Sequence, residues 1–225
     1  MKIGRMARWY RWIEYAAFGR ALENRRFAFL SGLVAARRVL ILGEGDGRTL
    51  ARLLTLARSA HFDVVELSPE MIALARKGIH GSDRVTFHCK DAREMDFPAA
   101  RFDAIVTHFF IDCFNEDDAR RVIRRLANTL RPDGIWLIGE FAIPPAGWRR
   151  LHAQLWIWTM YRFFRATTGL RTRTLPPIGN LMRESGMQRI ERETERAGLI
   201  VSEVWKPTVA HRLPGSLAGS TSDSN

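Results

Sequence analysis

Apolar residues along this chain fall into short runs separated by longer stretches in which they recur about once per helical turn. The runs lie near 38–43, 62–67, 84–88, 103–108 and 134–141, and the periodic stretches near 48–58, 69–77 and 116–130. A short continuous run suits a buried strand, whereas helical recurrence suits a helix with one apolar side. Alternation of the two predicts an α/β fold, a parallel sheet covered by helices on both faces. Near the end, 189–194 and 199–205 read as two strands joined through Ala197-Gly198, a hairpin.

The segment Arg38-Val39-Leu40-Ile41-Leu42-Gly43-Glu44-Gly45-Asp46-Gly47-Arg48 carries the most specific chemistry. It reads as a strand, a glycine turn and a helix start, an arrangement that sets helix N–H groups and bare backbone against a bound ligand. The dinucleotide fingerprint G-x-G-x-x-G requires Gly or Ala at 48, where Arg48 stands, so NAD is disfavoured. A Walker-type phosphate loop is absent as well. Downstream, Val64-Val65-Glu66-Leu67-Ser68-Pro69-Glu70-Met71 ends a strand in a carboxylate about 20 residues past the turn, the place for an acceptor of ribose hydroxyls. Ser68 is expected to cap the next helix, with Pro69 at its first position.

The tight G-x-G-x-G turn resembles motif I of the class I S-adenosylmethionine-dependent methyltransferases. Val85-Thr86-Phe87-His88-Cys89-Lys90-Asp91-Ala92 resembles that family's third strand and Asp-Ala pair. Arg101-Phe102-Asp103-Ala104-Ile105-Val106-Thr107-His108 and Leu130-Arg131-Pro132-Asp133-Gly134-Ile135-Trp136-Leu137-Ile138 resemble its fourth and fifth strands, so the likeness covers 38–141. It implies a Rossmann-like, doubly wound, seven-stranded sheet, mostly parallel with an antiparallel seventh strand. It also implies S-adenosylmethionine as cofactor and methyl transfer as activity. The implied cofactor-binding residues are Gly43, Glu44, Gly45, Asp46, Gly47, Glu66, Leu67, Met71, Asp91, Ala92 and Thr107. Tyr10 would close over the methionine end, and Asp91 with the Ala92 backbone would read the adenine. The family's usual acid two residues before the first glycine is replaced here by Ile41, with Glu44 and Asp46 nearby. The Ile-Leu-Gly-x-Gly-Asp-Gly run also resembles spermidine synthases, which keeps aminopropyl transfer as a distant alternative.

Transfer from a sulfonium asks the protein chiefly to align the acceptor and exclude water. The candidate catalytic residues follow the fourth strand: His108 to take a proton from the acceptor, and Asp112 to orient it. Alternatively, His108 lines the pocket, Asp112 caps the next helix, and Glu44 and Asp46 bond amides of their own turn. Cys89 and Cys113, without ligand spacing, point to no metal and no disulfide framework.

The chain has 225 residues and a net charge of +11, which raises nucleic acid as a partner. All but Lys2, Lys77, Lys90 and Lys206 of its 35 cations are arginines scattered along the chain, which favours a solvated surface and a small-molecule acceptor, apolar or aromatic, over RNA. An RNA methyltransferase and a non-catalytic cofactor-binding or membrane-surface module remain the alternatives. One methyltransferase domain is expected over 1–206: helical lead-in 1–37, cofactor-binding core 38–146, helical insertion 147–180, then closing helix and hairpin 181–206. A disordered tail is expected over 207–225. The insertion is apolar nearly all round and flanked by arginine. A lid or homodimer face is the preferred reading, and peripheral membrane contact the alternative. With no signal peptide or spanning segment evident, a cytoplasmic setting is expected.

Overall fold

The computed structural model describes residues 18–79, 81–144, 146–168 and 174–208. Tyr10, most of the lead-in and the tail beyond 208 lie outside the described residues. One seven-stranded sheet organises the rest. Its strands are β1 (Arg38–Leu42), β2 (His61–Glu66), β3 (Val85–Cys89), β4 (Phe102–His108), β5 (Leu130–Phe141), β6 (Met187–Glu195) and β7 (Ile200–Pro207), in the order β3-β2-β1-β4-β5-β7-β6. The first five strands run parallel, and β7 runs antiparallel to both β5 and β6. This is the Rossmann-like sheet that the motif order implies.

The helices are α1 (Ala21–Phe27), α2 (Arg48–Leu56), α3 (Pro69–Gly78), α4 (Glu116–Thr129), α5 (Trp148–Thr168) and α6 (Ile178–Glu184). Their apolar sides make two cores, one on each face of the sheet. On one face, Val122, Ile123 and Leu126 of α4 and Leu181 of α6 pack on Leu40, Ile105 and Trp136; on the other, Leu50 and Leu53 of α2 pack on Val39, Ile41 and Val64. Successive strand residues point to opposite faces, so fully buried strands must be apolar throughout, as β1 and β4 nearly are.

Local chemistry fixes the joints. Ser68 caps α3 by accepting the Met71 N–H at 3.3 Å, with Pro69 at the first helical position, and Asn115 caps α4 by accepting the Asp118 N–H at 2.9 Å. Arg84 donates to the carbonyls of Leu54, Ala57 and Arg58, closing the exposed end of α2. At the amino edge, the Asp103 carboxylate accepts N–H bonds from Arg37 and Arg38, both at 2.8 Å, which sets β1 against β4. One boundary differs from the sequence pattern. β5 begins at Leu130, and its register against β4 jumps from Phe102–Leu130 to Ala104–Ile135. Pro132 cannot donate to a ladder, so the strand bulges around it and Gly134 instead of starting afresh at 134.

The chain reverses its winding between β1 and β4, and in such sheets ligands sit at the carboxyl ends of the strands beside that point. The glycine turn, Glu66, Asp91 and the segment after His108 all lie along that edge.

Candidate active site

The turn leaving β1 holds three glycines in the left-handed region, with φ of 66° at Gly43, 68° at Gly45 and 88° at Gly47. A Cβ on Gly43 would stand 2.6 Å from the Phe110 ring, and one on Gly47 would stand 2.7 Å from the Ala75 α-carbon. Those two glycines permit close packing. A Cβ on Gly45 would meet nothing within 4 Å, so its α-carbon borders open space. The Glu66 carboxylate accepts the Gly45 N–H at 3.2 Å and the Ser68 N–H at 2.9 Å. Acceptor and bare backbone therefore lie side by side at the carboxyl edge of the sheet.

Leu67 is 53% exposed beside Glu66, and Met71 is buried one turn into α3. Asp91 lies past the end of β3, where the Arg93 guanidinium grips both its oxygens and holds its carboxyl below the usual carboxylate range. Ala92, next to it, is half-buried against the α4-side core.

Glu44 and Asp46 serve the turn. The buried Glu44 carboxyl accepts the Leu50 N–H at 2.9 Å in the first turn of α2, and Asp46 pairs with Arg48 Nε at 2.9 Å. Burial pushes Glu44 up to about 8, against the N–H groups of Leu50 and Thr49 and the positive charge of Arg26. Thr107 is fully buried, and its hydroxyl accepts the Trp136 indole N–H at 3.0 Å. Its side chain thus belongs to the core under the crevice, so the expected cofactor contact at Thr107 falls to its backbone.

Past β4 the chain turns sharply. Phe109 adopts φ 53°, unusual for a bulky residue, while its N–H donates to Gly139 O at 2.6 Å. This kink turns the next N–H groups toward Glu140, whose Oε1 accepts from Phe110 at 3.2 Å and from Ile111 at 2.8 Å. Glu140 is buried, and its Oε2 has no hydrogen-bond partner. Asp112, also buried, lies against the Glu140 carboxyl and accepts the Cys113 thiol; burial raises it to about 6 and Glu140 well above the usual range. Two carboxyls buried side by side resist ionising together, so the pair retains a proton near neutrality.

His108 stands apart from this pair. Its ring lies over Gly139, where a Cβ would meet Cδ2 at 2.8 Å, while Glu140 points to the opposite face. Burial, with the Arg26 charge, lowers the imidazole to about 3, so it is neutral and a weak proton acceptor, with Nδ1 buried and unbonded. His108 and Asp112, expected to act together, are separated by the sheet edge: Asp112 pairs with Glu140 instead.

A cavity of about 320 Å³ opens beside Glu140, lined among others by Ile138, Phe141, Ile178, Arg189 and Glu203. Glu203 is held there by Arg189 at 2.8 Å and by the Trp205 indole N–H at 2.9 Å. Among the described residues, none of the insertion helix α5 lines the cavity.

A family model described as a methyltransferase domain matches residues 39–134. The phosphatidylethanolamine N-methyltransferase of Cereibacter sphaeroides is 30% identical over 149 residues, covering 63% of this chain and 71% of that protein. The chain belongs to the class I S-adenosylmethionine-dependent methyltransferases. The demethylmenaquinone methyltransferase of Clavibacter sepedonicus is 34% identical over 112 residues, which cover 50% of this chain. The chain spans 44% of that relative's length. In fold it is similar to the N-methyltransferase NodS from Bradyrhizobium japonicum WM9 in complex with S-adenosyl-L-homocysteine, with a TM-score of 0.63 at 16% identity over 84% of this chain and 87% of that one.

The residues present fit the family's cofactor. Gly45 leaves a cradle that any Cβ would fill, and Glu66 presents a carboxylate to it. Two residues of this edge were not singled out in the sequence. Glu140 left a signal, a lone carboxylate ending the apolar run Trp136-Leu137-Ile138-Gly139. Arg26 left none, being one arginine among many; it is buried, with its guanidinium 5.2 Å from the Phe109 ring centre.

Proposed function

We propose that this chain transfers the methyl group of S-adenosylmethionine to a small acceptor held in the cavity beside Glu140. The observation that carries the reading is the open space over Gly45 with the Glu66 carboxylate 3.2 Å from its N–H. Glu66 would accept from the ribose hydroxyls. Leu67 and Met71 would flank the adenine, with Asp91 and the Ala92 backbone at its edge. Glu44 and Arg26 would supply opposite charges for the ammonium and carboxylate of the methionine end. When bound, the cofactor supplies a methyl group on a sulfonium that leaves readily.

What remains for the chain is to align the acceptor and hold its proton. The apolar wall of Ile138, Phe141 and Ile178 suits an acceptor with an apolar body, and the Asp112–Glu140 pair suits a hydroxyl or ammonium at its reacting end. His108, neutral and buried on the other face, would shape the site as a wall.

Calorimetric titration tests the reading. Wild-type protein should bind S-adenosylmethionine in the micromolar range and leave NAD unbound. Glu66→Ala should lose roughly 1.5 to 3 kcal/mol of binding, as expected for a hydrogen-bond partner that carries charge. Unchanged affinity in that variant removes the assignment.

A further inference from the structure

We infer that α5 lies on an anionic lipid surface and docks the protein there, a role independent of the transfer reaction. Within α5, Ala153 and Ile157 are buried against the cluster of Phe18, Leu22, Phe141 and Ile200. At 100° per residue, Trp148, Leu151, Leu155 and Trp158 fall together on the opposite side. They are 68%, 70%, 63% and 61% exposed, a continuous apolar stripe of two tryptophans and two leucines.

Charge selects the occupant. Residues 148–168 contain Arg149, Arg150, Arg162 and Arg165 and no Asp or Glu. The Arg149 guanidinium lies 5.9 Å from the Trp148 ring centre and that of Arg162 lies 5.7 Å from the Trp158 ring centre, so a cation accompanies the ring at each end of the stripe. Indoles with cations beside them suit the boundary where lipid headgroups meet acyl chains. Against a second copy of this helix, arginines would face arginines with no carboxylate between them, and the 148-151-155-158 spacing meets Arg162 at its next seam position. A nucleic acid would answer the arginines but leave Leu151 and Leu155 in water. An anionic bilayer answers both. Among the described residues, no helix is long and apolar enough to cross a membrane, which leaves α5 lying in the interface plane.

Flotation of the full chain with vesicles tests this. It should float with vesicles in which about a third of the lipid is anionic phosphatidylglycerol and not with neutral phosphatidylcholine vesicles. Leu151→Asp with Leu155→Asp should reduce the floated fraction at least about tenfold, while Arg149→Ser and Arg162→Ser should each weaken binding roughly fivefold. All four positions are exposed, so thermal melting and S-adenosylmethionine affinity should stay at wild-type values. Should the aspartate variant fail to fold, the arginine variants and the lipid comparison decide alone. Flotation that ignores lipid charge, or none with either vesicle, overturns the proposal. So does a wild-type dimer in sedimentation velocity that the aspartates split, since the stripe is then a contact between copies.

Discussion

Along the carboxyl edge of the sheet, the β1–β2 side is built from residues close in sequence and the β4–β5 side from residues far apart. Glu44 reaches the amide of Leu50 six residues on, and Glu66 reaches Gly45 across 21 residues and one crossover. On the other side, the Phe110 and Ile111 amides meet Glu140 from 30 and 29 residues away, and Phe110 folds back onto Gly43. The first side is a local device that a short motif can encode. The second takes its chemistry from packing, because it is burial that raises Asp112 and Glu140 and lowers His108.

The sharpest way to break this comparison lies inside the glycine turn. Gly47→Ala adds a Cβ 2.7 Å from the Ala75 α-carbon at φ 88°, and backbone cannot swing aside as a side chain can. It should cost roughly 3 kcal/mol or more in denaturant unfolding. Gly45→Ala meets nothing within 4 Å and should cost only about 1 to 2 kcal/mol for its left-handed conformation, yet abolish S-adenosylmethionine binding. A Gly45→Ala protein that binds normally would mean that the open side of the turn is not where the cofactor lies.

That contrast also explains what could be read in advance. Strand and helix alternation is enforced by burial on both faces, so β1, β2 and β4 were legible from apolar runs. The Ser68-Pro69 and glycine signals marked joints whose chemistry is complete within a few residues. Pairing of Asp112 with Glu140 was not legible, because it depends on the Phe109 kink and on which face of β5 each residue occupies. Their place just past the fourth strand suggested that His108 and Asp112 act on one acceptor. The kink and the strand alternation separate them.

A smaller effect is expected from the acceptor side. If the Asp112–Glu140 pair accepts the proton, it must be ionised, so kcat/KM should fall as pH drops through about 6, the value to which burial raises Asp112. Asp112→Asn should lower kcat by about a hundredfold with little change in cofactor affinity. His108→Asn should leave the acid limb in place, since an imidazole lowered to about 3 cannot titrate there. An acid limb that disappears with His108 and survives Asp112→Asn would reverse the two roles.

The last effect returns to Glu44, the one part of the local side whose behaviour depends on burial. Its carboxyl is raised to about 8 in the folded protein, so between about 4.5 and 8 the folded chain holds a proton that the unfolded chain has released. Glu44 therefore supports folding fully below that window, and its contribution is lost as pH rises through it. An ammonium bound beside Glu44 would favour the carboxylate and expel that proton. Cofactor affinity should accordingly climb with pH, by at most about tenfold per unit, and level off above about 8. Titrations in buffers of different ionisation enthalpy should register proton release near neutrality, and Glu44→Gln, which keeps an acceptor for the Leu50 N–H, should remove both the release and the slope. Release that persists in Glu44→Gln would place the methionine end elsewhere along the edge.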